Sequence, residues 1–198
     1  MVDDGALSDS RGWRVLVVCE GNIARSPAAA TILQARLPAG FEVASAGTRG
    51  LPEHPVWPPY AERLLAQGLD PDGHLSRPLD AQTVRSSDLI LASTRAQCSV
   101  VVTNDPLALR KTFTLGGFAR MLRALQDQGV ALDDLPAVIA ERGLLVPVHT
   151  DGDDIPDPYR APAKVAEESW DLLTRACDDI VSGLAAVLGP TGQPTPLR

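Results

Sequence analysis

Cys19 and Arg25 stand six positions apart in Cys19-Glu20-Gly21-Asn22-Ile23-Ala24-Arg25-Ser26-Pro27, directly after the apolar run Val15-Leu16-Val17-Val18. A phosphate monoester is close to a dianion at neutral pH, so its site needs oriented backbone N–H groups, a fixed cation and little negative charge of its own. Glu20, Gly21, Asn22, Ile23, Ala24 and Arg25 supply such amides on a turn leading into a helix N-terminus, where orphan donors and the helix dipole favour an anion. Arg25 adds a planar fork that lysine does not match. This scheme needs no metal and no cofactor, and none is expected.

The same field stabilises the thiolate form of Cys19 and prepares a nucleophile. In-line attack on phosphorus would form a cysteinyl-phosphate and divide a slow hydrolysis into two steps, after which the leaving oxygen needs a proton. An isolated cysteine is more often a small buried hydrophobe. Cys19 departs from that class because Gly21, Asn22, Arg25, Ser26 and Pro27 accompany it at a strand-to-helix junction. Cys98 and Cys177 fit core positions on helices.

The elements that must hold this turn alternate strand and helix. Val15 to Val18 reads as a strand buried on both faces, and Ser26-Pro27 as an N-cap and first helical position for a helix from Ala28 to Leu37, stopped by Pro38 and Gly40. Strands follow at Phe41 to Ala46, Asp88 to Ala92 and, shorter, Thr112 to Leu115. Helices follow at Pro59 to Gln67, from Arg95, and at Phe118 to Gln128 and Leu135 to Arg142. The spacing of Val165, Trp170, Leu173, Cys177, Ile180, Val181, Leu184 and Leu188 predicts a long amphipathic closing helix from Ala163. The pattern is α/β: a three-layer sandwich with a four-stranded parallel sheet, helices on both faces and the phosphate loop after the first strand. We expect flexible tails at 1–12 and 190–198, one domain over 13–189, and a helical insert at about 118–145.

At 198 residues and 44% hydrophobic composition the chain can bury one sizeable core. Its net charge of −7 argues against wrapping nucleic acid or docking on anionic lipid. The first residues show neither a signal peptide nor a membrane span, and three scattered cysteines make no disulfide framework, so the chain reads as soluble and cytoplasmic. The oligomeric state is not legible.

The run V-C-x-G-N-I-x-R-S-P resembles the phosphate loop of bacterial low-molecular-weight protein tyrosine phosphatases. The resemblance continues at Ser45-Ala46-Gly47-Thr48, His74-Leu75-Ser76-Arg77-Pro78-Leu79, Asp88-Leu89-Ile90-Leu91 and Asp157-Pro158-Tyr159, and covers most of the chain from Trp13 to Leu188. It implies a phosphotyrosine-protein phosphatase with Cys19 as nucleophile, Arg25 as transition-state clamp, Ser26 as the hydroxyl steadying the thiolate, and Asp157 as general acid and base. It implies that Asn22, Ser45 and His74 brace the loop and that Tyr159 lines the substrate slot, with Leu51, His54 or Trp57 replacing the family's usual aromatic. The implied partner is a phosphotyrosine protein, a bacterial tyrosine kinase among the candidates. Asp151, Asp153 and Asp154 lie within six residues of Asp157, and clustered carboxylates favour a retained proton. Neutralising Asp153 and Asp154 is therefore expected to move the alkaline limb of the kcat profile downward.

The departures bear on regulation and substrate choice. Ala24 stands where family members often carry a second loop cysteine, so a local disulfide guard is absent and peroxide should carry Cys19 further up the oxidation ladder. Glu20 is expected to face solvent, and Arg160 follows Tyr159 in place of a second tyrosine. A thioredoxin-coupled arsenate reductase shares the loop but needs two further cysteines in a relay, which the wide spacing of Cys98 and Cys177 does not suggest. Protein arginine phosphatases tend to carry threonine where this chain has Ile23. A non-catalytic phosphate-binding module is the remaining alternative.

Overall fold

The computed structural model describes residues 12–128 and 152–188, with Pro136, Ile139 and Thr150 between them. Except for Gly12, the expected tails lie outside the described residues, as do Asp151 and most of the helix expected at 135–142. Strands β1 (Trp13–Cys19), β2 (Phe41–Gly47), β3 (Leu89–Ala92) and β4 (Thr112–Thr114) form one parallel sheet in the order β2-β1-β3-β4. Helices are α1 (Arg25–Arg36), α2 (Pro58–Ala66), α3 (Ala81–Ser86), α4 (Arg95–Asn104), α5 (Leu115–Asp127) and α6 (Ala163–Leu188), with a 3-10 helix at Pro106–Lys111. The sequence pattern does not reveal α3 or the 3-10 helix, because each is a short piece carrying little periodicity of its own.

The continuous apolar run of β1 is explained by burial on both sides. Trp13, Val15 and Val17 enter one core with Ile32 and Leu33 of α1, Leu64 of α2, Phe118 and Leu122 of α5, and Leu173 and Ile180 of α6. Leu16 and Val18 point the other way, onto Val84, Cys98, Val101 and Ala108. Alternation along β1 thus divides its side chains between two cores. The chain reverses direction across the sheet at β1, whose neighbours are β2 and β3, and in open parallel sheets ligands bind at such a point beyond the carboxyl ends of the strands. Cys19 is the last residue of β1 and pairs with Gly47, the last of β2.

One expectation changes. Helix α1 begins at Arg25, with Ala24 at the cap position and no side-chain cap, so Ser26 is not the N-cap. Helix α5, the described part of the stretch expected as an insert at about 118–145, packs into the main core through Phe118, Met121, Leu122 and Leu125 and lies along α6. The two helices are tightly apposed at Gly183, where an added Cβ would sit 2.7 Å from the Cβ of Leu122.

This contact gives a signed prediction. Alanine at a helical glycine gains up to about 1 kcal/mol of propensity, but overpacking a fixed helix pair costs about 1–3 kcal/mol. Gly183→Ala should therefore lower Tm and the urea midpoint; an increase in either would show that α5 and α6 separate at little cost.

Candidate active site

Every carbonyl from Cys19 to Ala24 has a partner. Those of Cys19, Glu20 and Gly21 accept from the N–H groups of Thr48 (2.9 Å), Arg49 (2.9 Å) and Leu51 (3.3 Å). His74 Nε2 lies 2.9 Å from the Asn22 carbonyl, the Trp57 N–H donates to the Ile23 carbonyl at 2.6 Å, and the Ala28 N–H donates to that of Ala24. In a trans peptide the N–H points away from the C=O of the same unit. Engaging these carbonyls with residues 48–57 and His74 therefore directs the amides that follow them away from those partners. One such amide, of Asn22, points at Cys19 Sγ over 3.3 Å.

Asn22 makes this turn possible in two ways. Its φ of 57° lies in the left-handed region, which asparagine tolerates better than most side chains. Its fully buried side chain donates through Nδ2 to Ser26 Oγ and Ser45 Oγ, both at 2.9 Å, and accepts through Oδ1 from the Arg77 N–H at 2.9 Å. Because Ser26 Oγ accepts from Asn22, its hydrogen is free for Cys19 Sγ at 3.0 Å or the Ala46 carbonyl at 3.4 Å. Helices α3, α4 and α5 are each capped by a side chain, of Asp80, Thr94 and Thr114, whereas the first turn of α1 has none. Its hydroxyl serves the thiol, and its leading amides stay available to an anion.

His74 is held neutral by its surroundings: burial outweighs the bond to the Asn22 carbonyl and lowers its pKa below the ordinary value. The bond to a carbonyl requires the Nε2–H tautomer. Arg77 donates through Nε to the Ser45 carbonyl at 2.9 Å, so both ends of this arginine tie β2 to the loop. Sequence reasoning missed Arg77 as part of the brace. It also missed Gly47, where a Cβ would fall 2.5 Å from the Glu20 carbonyl oxygen and 2.9 Å from the Asn22 nitrogen. A glycine at the end of a strand beside the loop was the available signal.

A pocket of about 300 Å³ opens over this floor, lined by Cys19, Ile23, Ala24, Arg25, Leu51, Asp157 and Tyr159 among others. The Arg25 side chain is 4% exposed; one terminal nitrogen donates to the Ile155 carbonyl at 3.1 Å and the other lies 2.8 Å from Asp157 Oδ2. Its Nε is buried without a partner among the described residues. A buried donor of this kind is costly unless something accepts from it, and an anion in the pocket is the natural acceptor. Trp57 does not line the pocket; it meets the Tyr159 ring edge-on at 6.2 Å and supports that wall. Glu20, half exposed, sits at the mouth with its carboxylate 3.5 Å from Arg49. A larger groove of about 590 Å³ lies on the far side of the brace, against α1 and β2, and does not include Cys19.

The acid loop is anchored from behind. Buried Tyr60, its pKa pushed up to about 12 mainly by burial, donates to Ser169 Oγ at 2.8 Å, and Ser169 donates to the Pro156 carbonyl at 2.8 Å. The Ile155 N–H donates to the Ser93 carbonyl at the end of β3. Of the carboxylates expected to cluster around Asp157, Asp153 and Asp154 are engaged elsewhere. Asp153 is buried and bound by Arg120 at 2.8 Å and by Thr150, while Asp154 accepts from the Arg95 N–H at the start of α4. Burial opposes ionisation of Asp153, but the Arg120 and Thr150 donors outweigh it and hold its carboxyl below the usual value. These carboxylates tie the loop down and are consumed in doing so, which removes the basis for the expected shift in the kcat profile.

The family model described as "Low molecular weight phosphotyrosine protein phosphatase" matches residues 14–134. A low molecular weight protein-tyrosine-phosphatase of Escherichia coli K12, Etp, is 32% identical over 165 residues, covering 83% of this chain and 90% of its own. The solved structure of Vibrio vulnificus Wzb in complex with benzylphosphonate is similar with a TM-score of 0.64 at 25% identity, covering 86% and 98% of the two chains. The YwlE arginine phosphatase of Geobacillus stearothermophilus is similar with a TM-score of 0.65 at 26% identity, covering 87% and 92%.

Two predictions follow from the geometry. Gly47→Ala should cut turnover at least about tenfold while the protein remains folded, since a misplacement of the reacting groups by an ångström can cost on the order of 100-fold; wild-type kinetics would show the loop to be insensitive to β2. Asp153→Asn should destabilise the protein by about 3 kcal/mol at neutral pH. The carboxyl's folded pKa is depressed, so its contribution is present above the ordinary value near 3.9 and is lost as pH falls through the lower folded value. The Tm gap between wild type and variant should therefore close in that acidic window, and a gap constant with pH would count against the ion pair.

Proposed function

The chain belongs to the low molecular weight phosphotyrosine protein phosphatase family, and from that premise we propose that it hydrolyses phosphotyrosine in proteins through a cysteinyl-phosphate on Cys19. The observation that carries this reading is the convergence on one pocket of Cys19 Sγ, the Ser26 hydroxyl 3.0 Å from it, and the Arg25–Asp157 pair at 2.8 Å.

The phosphoryl group sits over Cys19, its oxygens held by the loop amides and the Arg25 guanidinium. The thiolate attacks phosphorus, the bond from phosphorus to the phenolic oxygen breaks, and Asp157 gives its proton to the departing phenolate. A water then attacks phosphorus while the Asp157 carboxylate takes one of its protons. The sulfur–phosphorus bond breaks, releasing inorganic phosphate and the thiolate, which the Ser26 hydroxyl and Asn22 N–H receive. Arg25 and the amides meet the charge that spreads over the equatorial oxygens in both steps. Ile23, Ala24, Leu51 and Tyr159 supply apolar walls suited to an aryl ester.

The arsenate reductase alternative needs a relay of thiols. Cys98 and Cys177 are buried in the two different cores on opposite faces of the sheet, and burial raises the pKa of Cys177 well above the ordinary range. Neither is placed to exchange with the other. The likeness to an arginine phosphatase keeps phosphoarginine as the second substrate to test, with apolar Ile23 favouring the aryl ester.

Hydrolysis of phosphotyrosine, phosphoarginine and phosphoserine peptides by wild type and two variants tests the proposal. Cys19→Ser should abolish turnover. Asp157→Asn should lower kcat about 100-fold on phosphotyrosine, in the range of a lost general acid, and less on p-nitrophenyl phosphate, whose leaving group needs little protonation. Retained activity in Cys19→Ser would refute the covalent mechanism, and preference for phosphoarginine would move the substrate assignment.

A further inference from the structure

Two exposed arginines stand at the entrance side of the site: Arg49 lines the pocket, and Arg160 stacks on Tyr159, which lines it. Arg49, on the loop after β2, lines the pocket with its side chain 83% exposed and one terminal nitrogen 3.5 Å from Glu20 Oε1. Arg160, on the loop after Asp157, is exposed, adopts a φ of 59° and holds its guanidinium 5.2 Å from the centre of the Tyr159 ring. Among the described residues no carboxylate lies within ion-pair distance of Arg160. Of the other charges at the pocket, Arg25 and Asp157 face one another and Glu20 faces Arg49. Beyond the reacting pair the lining balances Arg49 against Glu20, and Arg160, stacked beside it on Tyr159, adds one further cation on a chain whose net charge is −7.

That distribution is opposite to the rest of the molecule. An acidic protein surface repels acidic partners at long range, so local cations beside the slot matter most for a substrate that is itself acidic. The guanidinium stacked on Tyr159 is also held in place by the ring, which lowers the entropy lost when it meets a carboxylate. Resting on the phosphotyrosine reading above, we propose that this enzyme selects phosphotyrosine flanked by Asp or Glu, with Arg49 and Arg160 as specificity-determining residues that take the flanking carboxylates. Glu20 is the internal competitor: its carboxylate occupies the side of Arg49 that an incoming acid would use.

The test compares kcat/KM on three phosphotyrosine peptides of equal length with acidic, neutral or basic flanks. Exposed ion pairs are individually weak, a factor of roughly 1.5 to 5 each, so wild type should favour the acidic over the neutral peptide by about three- to tenfold. Arg49→Gln with Arg160→Gln should bring that ratio to about one, and Arg49→Glu with Arg160→Glu should invert it in favour of the basic peptide. Glu20→Gln should raise the ratio, an outcome that a purely structural role for these residues would not produce. Equal turnover of acidic and neutral peptides by wild type, or a ratio unchanged in the paired variants, overturns the proposal while leaving phosphotyrosine hydrolysis standing. Failure to hydrolyse any of the three overturns both readings.

Discussion

The site depends on where six consecutive carbonyls point. From Cys19 to Ala24 each is bound by a donor away from the pocket, three of them by backbone N–H groups of residues 48–51, one by Trp57, one by His74 and one within α1. Peptide planarity converts that outward engagement into directed N–H groups, one of them aimed at the Cys19 sulfur. A loop free to rotate its peptides would present oxygens as readily as amides and would repel an anion. The loop after β2 is therefore as much a part of the phosphate cradle as the cradle's own residues, and at Gly47 the two segments come too close for a side chain.

A second layer fixes the first. Asn22 holds two serines and the Arg77 backbone from one buried amide, so the thiol's neighbour Ser26 and the end of β2 share a single anchor. The cost of burying so many polar groups is offset because each is matched. The acid loop is secured on different terms, by Arg120 on Asp153, by the α4 amide on Asp154 and by Tyr60 through Ser169 on Pro156. Asp157 thus follows directly on three tethered residues, with its side chain directed to Arg25.

Much of this is legible in the amino-acid sequence. The apolar run at β1, the glycine and proline stops, and the period of α6 announce a parallel α/β sandwich because burial on two faces and helical amphipathicity leave direct marks on residue type. Ser26 misleads: a serine before a proline looks like a cap, yet its hydroxyl is committed to a sulfur seven residues back, which no local rule anticipates. Phe118 and Leu122 are periodic in sequence whether they belong to an appended hairpin or to the core, and only contact with α6 distinguishes the two. Asp153 and Asp154 read as a cluster about Asp157 because they are near in sequence, whereas their partners, Arg120 and the start of α4, are 33 and 59 residues away.

The sequence by itself determined the order of the elements, the family, and the identities of the nucleophile, clamp and acid proposed for this chain, since spacing within one turn is a local property. Tertiary structure decided how those groups meet and what surrounds them: that Asp157 reaches Arg25 across 132 positions, that Trp57 supports Tyr159 and does not line the slot, and that Arg49 comes to the same pocket as Tyr159, on which Arg160 stacks. Those relations depend on contacts between residues far apart in the chain, set by sheet order and the closure of loops over it, and such contacts leave no periodic trace in the residues that make them.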